Sequence, residues 1–365
     1  MRLKTGMAIN AIGAVGGFGC GVAALTTALE GRPPTPLSID LETIHGVRTV
    51  QGLRADPSPL RDFVPVRVMR RMEHHIRIAL LAAFDALGDA ERRGVGHRGR
   101  LGIVMATGYG ATCNSFDFQH LATATDDFSG SPTQFSNSVH NAAAAYLSIA
   151  LEENGPNHTV SHYDLSVPMA LTVAAQWLAE ERVDSVLVGA VDEFSKAQAY
   201  AWHERAAADP AAAVLPAIGE GACFLLLSRA SASDGGKTVD AVNAVDGIYA
   251  SIDAVGLGRQ TAPGEVGGLP DADLYLIGAD GFGGRDPDYA AVLPASCSVG
   301  AYPQIYGVLP VGMAFDLAIA ALGLDGGRTF APADLALRGD GGGALPSVAE
   351  APCCLKLGAQ QAYAW

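Results

Sequence analysis

Apolar and polar positions change their period twice between Gly155 and Phe194. His158–Tyr163 reads as a short strand. Val167–Ala179 is apolar almost all the way round, which predicts a buried helix rather than a surface one. Ser185–Val191 is a continuous apolar run, the pattern of a strand covered on both faces of a parallel sheet. Ser166 and Pro168 mark the helix start, with a hydroxyl to cap free N–H groups and a proline in the first turn. A strand that turns sharply into a buried helix is where α/β proteins often mount a nucleophile, because the helix N-terminus favours negative charge.

The same periods recur along the chain. Met7–Val15 reads as an apolar strand running into Gly16-Gly17-Phe18-Gly19-Cys20-Gly21 and then a helix to Glu30. Those glycines do not fit the spacing of a phosphate loop. The proline-bearing residues 31–67 read as a loop or extended excursion. Arg67–Ala90 has helical spacing, with His74-His75 placed on its solvated surface. Leu101–Ala106 is a buried strand, Ser129–Phe135 a loop, and Asn137–Glu152 an Ala-rich helix. Glu220–Leu227 is another apolar strand, followed by the polar linker 228–237. That linker divides the chain into residues 1–227 and a shorter half, 238–365. The second half offers strands at Ala241–Tyr249 and Leu274–Gly278, a helix at Val308–Leu324 and a closing strand at Cys353–Leu357. Strand–helix alternation in both halves predicts a duplicated α/β architecture.

Composition narrows the class. At 365 residues, 49% hydrophobic and only 17% charged, the chain has room for a large core and a covered surface. A net charge of −14 argues against nucleic acid and anionic membranes as partners. There is no apolar run of bilayer length and no secretory leader pattern, and the six cysteines show no metal or disulfide spacing. A reduced cytoplasm is the expected setting, without metal or cofactor.

The motifs carry a resemblance. Gly155-Pro156-x-x-Thr159-Val160-Ser161, the buried helix and the strand after it resemble the nucleophile region of β-ketoacyl synthases, of the thiolase superfamily. SPTQFSNSVHNAAAAYLSIAL, residues 131–151, is similar to that family's Ser-Pro loop and Ala-rich helix. The resemblance implies a thiolase-like duplicated αβαβα layered fold. It also locates missing chemistry. The nucleophilic Cys position is held by Asp164, and a carboxylate does not readily form the thioester that ketosynthase chemistry requires. The family's two catalytic histidines come from the second half, yet no histidine follows His203. Their positions fall at Asp280 and Tyr306, the Lys position falls at Ala301, and the C-terminal Gly-rich motif is reduced to Lys356–Gln361. Asp164 then has two readings, a loop or helix cap and a buried acid that blocks a vestigial pocket. A metal reading of His158, His162 and Asp164 lacks further ligands.

Loss of the whole catalytic set resembles the chain length factor, the non-catalytic subunit of type II polyketide synthases, and the short second half leans toward polyene-forming systems. The resemblance implies an active ketosynthase as heterodimer partner and a growing polyketide chain in a shared tunnel. An acyl carrier protein would contact mainly the partner. It nominates Cys113, Asn114, Phe116, Phe118, Thr133, Gln134 and Phe135 as tunnel or gate residues. It places His158, Thr159, Val160, Ser161, His162 and Tyr163 at the dimer interface. The aromatic residues also have a plain packing reading. Two other classes stay open: an independent enzyme using Asp164 and Asp280 as an acid/base pair, and a homodimeric scaffold without an acyl partner.

Overall fold

The computed structural model describes residues 2–43, 45–95, 99–124, 131–207, 217–230, 247–259, 269–278, 289, 291–294, 297–331, 347–357 and 362–364. In chain order these form β1 (Arg2–Gly16), β2 (Gly19–Cys20), α1 (Val22–Leu29), β3 (Leu37–Thr43), β4 (Gly46–Leu53), α2 (Val66–Met69), α3 (His74–Arg92), β5 (Leu101–Thr107), α4 (Thr112–Ala124), α5 (Pro132–Asn137) and α6 (Ala142–Leu151). There follow β6 (Asn157–Ser161), α7 (Ser166–Ala179), β7 (Ser185–Asp192), α8 (Lys196–Ala207), β8 (Ile218–Gly219) and β9 (Gly221–Arg229). The later part adds β10 (Ala250–Ala254), β11 (Leu257–Arg259), β12 (Leu274–Ile277), β13 (Ser298–Gly300), α9 (Pro303–Tyr306), α10 (Gly312–Asp325), β14 (Pro352–Leu357) and β15 (Ala362–Ala364).

Two sheets share one winding. The first runs β1-β9-β7-β5-β6, with β10 outside β1, and the second runs β11-β15-β14-β12-β13. In each, the first two pairings are antiparallel and the last two parallel. Each also has an apolar 14-residue helix crossing between equivalent parallel strands, α7 from β6 to β7 and α10 from β13 to β14. The pleat then sorts the core by period 2. Leu187, Val191, Phe224 and Leu226 face α3 and α6, whereas Val186, Val188, Leu225 and Leu227 face a layer shared by α7 and α10. Leu274 and Leu276 of the second sheet close that central layer from the other side, and Tyr275 and Ile277 face outward onto Tyr289 and Leu293. This is the layered αβαβα arrangement. Contact between α3 and the sheet requires glycine at one point, since a Cβ at Gly13 would lie 2.1 Å from the Ala82 carbonyl oxygen.

Several local expectations change. Residues 37–53 form a hairpin that carries β8, so part of the excursion is sheet. The expected Arg67–Ala90 helix breaks around Arg70–Glu73 into α2 and α3. His75 is fully buried, because it shares a stripe with Ile78, Ala79, Ala82 and Ala86 at helical spacing. The Ser-Pro loop turns helical at Pro132, with Ser131 Oγ accepting the Gln134 N–H. The Ala241–Tyr249 strand falls mostly outside the described residues, and β10 lies just beyond it, paired with β1 in the first sheet. Much of the linker, 231–237, is likewise outside them.

Candidate functional site

β6 ends at Ser161, and a 3-10 turn over Tyr163–Leu165 leads straight into α7. Asp164 sits buried in that turn, two residues before the first residue of the helix. Tyr163 takes φ +47°, a left-handed conformation that a tyrosine holds only when its surroundings insist. Ser166 supplies the insistence. Its hydroxyl accepts the His162 N–H at 2.7 Å and lies 2.7 Å from the Tyr163 carbonyl and 2.9 Å from that of Thr107. Ser166 therefore pins the turn from inside the helix, rather than capping its end as expected. The strand-turn-helix geometry is intact, and the group at its apex is a carboxylate.

Beside the turn, α4 and α5 carry the nominated wall. Asn114 is buried and donates to the Gln134 carbonyl at 2.7 Å, and Ser115 bonds the Ser138 carbonyl at 3.0 Å. Phe118 meets Phe135 with ring centroids 5.8 Å apart, so these two of the nominated aromatics are brought together. Cys113 turns inward to the Phe194 carbonyl, 3.4 Å away, and burial followed by the neighbouring Glu193 pushes its thiol up to about 12. Phe116, one turn on from Cys113, is exposed, as are Thr133 and Phe135.

Sequence reasoning missed the acids behind this wall. Glu220 is completely buried, yet it accepts from Arg54 Nε at 3.0 Å, the Ala55 N–H at 2.7 Å and the Phe194 N–H at 3.0 Å, and its carboxylate meets His74 Nε2 at 2.9 Å. Burial pushes its pKa up, but His74, Arg54 and the Phe194 N–H outweigh that and hold it below the usual range. Asp192 and Glu193, also buried, hold backbone N–H groups of the segment leading into α4. Their only sequence signal was the charge that ends the apolar run of β7.

Among the described residues, β6 is the outer strand of the first sheet and pairs with β5 alone. Its register sets which groups face out. Ile103 lies opposite Asn157 and bonds the Pro156 carbonyl, so Pro156, His158 and Val160 point their backbone groups at β5. Asn157, Thr159 and Ser161 point theirs away from the sheet. Large apolar side chains stand exposed along the elements that flank this edge: Ile149 at 74%, Tyr163 at 65%, Phe135 at 60%, with Phe116 and Val139.

In the second half, Tyr306 is buried in front of α10. Its hydroxyl donates to Asp316 Oδ1 at 2.7 Å and its ring stacks on Phe315 at 5.2 Å. Burial, then Asp316, pushes its pKa far up, so it is a neutral packing residue. Asp280, expected to pair with Asp164, lies outside the described residues. Among the described residues there is no cluster of His, Cys, Asp and Glu fit for a metal. No described helix is long and apolar enough to cross a membrane.

Fold and site together define a thiolase-type condensing-enzyme scaffold. The chain belongs to the β-ketoacyl synthase family, whose N-terminal domain matches residues 48–246, more than half its length. The fold is similar to that of the ishigamide ketosynthase/chain length factor, with TM-score 0.71, 19% identity and 98% of each chain covered. A β-ketoacyl synthase from Burkholderia phymatum STM815 gives TM-score 0.71 at 16% identity, covering 100% of this chain and 98% of that one. A complex described as a type II PKS acyl-carrier protein with its ketosynthase bound to the hexaketide gives 0.69 at 14%, covering 99% and 98%. A search of curated proteins found no match.

Proposed function

We propose that this chain is a chain length factor: a subunit without its own condensing chemistry, paired with a cysteine-bearing ketosynthase. In that role it shapes the tunnel in which a polyketide grows on acyl carrier protein. The observation that carries this reading is Asp164. The turn before α7 keeps the geometry of a nucleophile mount, while the residue at its apex cannot form the required thioester. The Tyr306–Asp316 pair fills the equivalent place in the second half. The open edge of β6, flanked by exposed apolar side chains, supports a heterodimer whose sheet continues into the partner. Phe118 against Phe135 is the strongest tunnel-wall candidate. At −14, the chain is a poor docking surface for an acidic carrier, so the partner holds most of that contact.

Co-expression with a cysteine-bearing ketosynthase should yield a 1:1 complex that elongates acyl-carrier substrates. The chain alone should give neither acyl-enzyme nor decarboxylation by intact mass, and Asp164→Cys should not restore them. A covalent acyl adduct on this chain, or turnover by the chain alone, would overturn the reading in favour of an independent enzyme. A stable homodimer indifferent to ketosynthase would favour the scaffold.

A further inference from the structure

Asp192, the last residue of β7, stands where three parts of the molecule meet. Its carboxylate accepts the Thr107 hydroxyl at 2.8 Å, the Gly108 N–H at 3.0 and 3.1 Å to its two oxygens, and the Tyr109 N–H at 3.1 Å. The backbone of Val311, the cap residue of α10, lies near enough to favour its charged form. Thr107 extends the node in two directions. Its hydroxyl accepts the Gly110 N–H at 2.8 Å, just before α4, and its carbonyl meets the Ser166 hydroxyl that shapes the Asp164 turn. Gly108 packs so tightly on the α10 side that a Cβ there would lie 2.3 Å from the Pro310 Cβ. Glu193 then holds the Cys113 N–H in the first turn of α4, at 3.0 Å.

One buried carboxylate thus collects donors from a strand end and a loop that packs against the start of α10. Charge-assisted bonds to several backbone N–H groups fix the relative places of the segments that supply them. We propose that Asp192 is a positioning residue for product length: it sets where α4, with Phe116 and Phe118, stands relative to the Asp164 turn and the start of α10. This rests on the chain length factor reading above. Apart from the Thr107 hydroxyl, the bonds run to main-chain groups, so repacking of neighbouring side chains does not take over the role.

Asp192→Asn keeps the size and replaces an acceptor oxygen by a donor that opposes the Gly108 and Tyr109 N–H groups. Thr107→Val removes the hydroxyl's bonds to Asp192 and from the Gly110 N–H while leaving the carboxylate in place, and serves if the first variant fails to fold, with Thr107→Ser as its rescue. Each is purified as the complex with a ketosynthase and read two ways, by backbone hydrogen exchange and by product masses. Expected are exchange at Gly108–Cys113 faster by about tenfold or more, unchanged protection in β7, and a broadened product-length distribution. Thr107→Ser should return both readouts to the parent values. Unchanged exchange in a folded variant overturns the proposal. Faster exchange with unchanged lengths also overturns it, provided Phe118→Ala shifts lengths in the same assay. If Phe118→Ala shifts nothing either, the tunnel reading itself has failed and the length claim falls with it, even where exchange has changed.

Discussion

The two sheets are wound alike, yet the turns that feed their central helices have opposite chemistry. Before α7 the turn is polar, pinned by one hydroxyl, with Asp164 at its apex and Tyr163 in solvent. Before α10 the equivalent stretch is aromatic core. Tyr302 donates to the Phe330 carbonyl at 2.9 Å, and Tyr306 is stacked on Phe315 and bonded to Asp316. A duplicated backbone therefore does not duplicate a site. One copy presents a carboxylate at a polar turn, and the other packs the same turn with aromatic rings. Titration differs too among the described residues. The shifted acids, Asp85, Asp192, Glu193 and Glu220 among them, and His75 lie in the first half, the shifted tyrosines lie in the second, and cysteines raised by burial occur in both.

The sharpest way to break the comparison is Tyr306→Ala. It removes a buried ring from the filled side and should cost roughly 3–5 kcal/mol in urea denaturation. A loss below about 1 kcal/mol would mean that the stretch before α10 is not core.

Next comes pH. The His75 ring is buried, and burial followed by the nearby His140 and His74 lowers its pKa from 6.5 to about 4. The Val191 backbone lies near enough to oppose the shift, but neither ring nitrogen reaches hydrogen-bond geometry. The unfolded ring thus protonates first, so this contribution to stability is full above 6.5 and lost as pH falls toward 4. Asp192 and Asp85 act in the opposite sense. Burial raises them from 3.8 to about 7 and about 6, so their contribution is full below 3.8 and lost as pH rises through those values. His75→Phe should remove the acid-side loss alone, worth up to about 3 kcal/mol once the pH has fallen from 6.5 to about 4. Stability curves of variant and parent that run parallel across that span would contradict it.

A smaller effect tests the open edge. Val160 donates to β5, so a proline there breaks the chain's own ladder, whereas Thr159 offers its N–H outward. Thr159→Pro should leave the fold intact and weaken the ketosynthase complex roughly 10- to 100-fold, or about 1.4–2.8 kcal/mol, by sedimentation. Undiminished association would move the interface elsewhere. Smallest is Asp164→Asn. Removing a charge near the start of α7 should cost no more than about 1 kcal/mol, against several for Tyr306. A larger cost would make Asp164 a structural keystone.

How far the sequence reached follows from distance along the chain. The α7 and β7 elements were legible because burial on every side leaves an unbroken apolar run, and motif spacing put Asp164 at the strand-to-helix turn, where the structure has it. His75 was legible in principle, since it shares a helical stripe with Ile78, Ala79, Ala82 and Ala86, but a pair of adjacent histidines reads as surface. Glu220 was not legible. Its partners lie 26, 146 and 166 residues away, and no local pattern announces a carboxylate satisfied from three directions. The hairpin at 37–53 was hidden by prolines on its flank. The outward groups of β6 needed the register against β5, which exists only once the sheet is assembled.

β1 has a consequence for how the chain reaches this fold. Its long sides are covered by β9 and β10, and the side-chain bond from Asn10 to Ser228 spans 218 residues. At ribosomal speeds of about 5–20 residues per second, this apolar strand waits roughly 10–40 s after synthesis for its main partner. Contacts of such separation also fold slowly. In that interval α3, whose alanine face fits Gly13, is the cover at hand, and the nascent chain is most open to aggregation and chaperone capture.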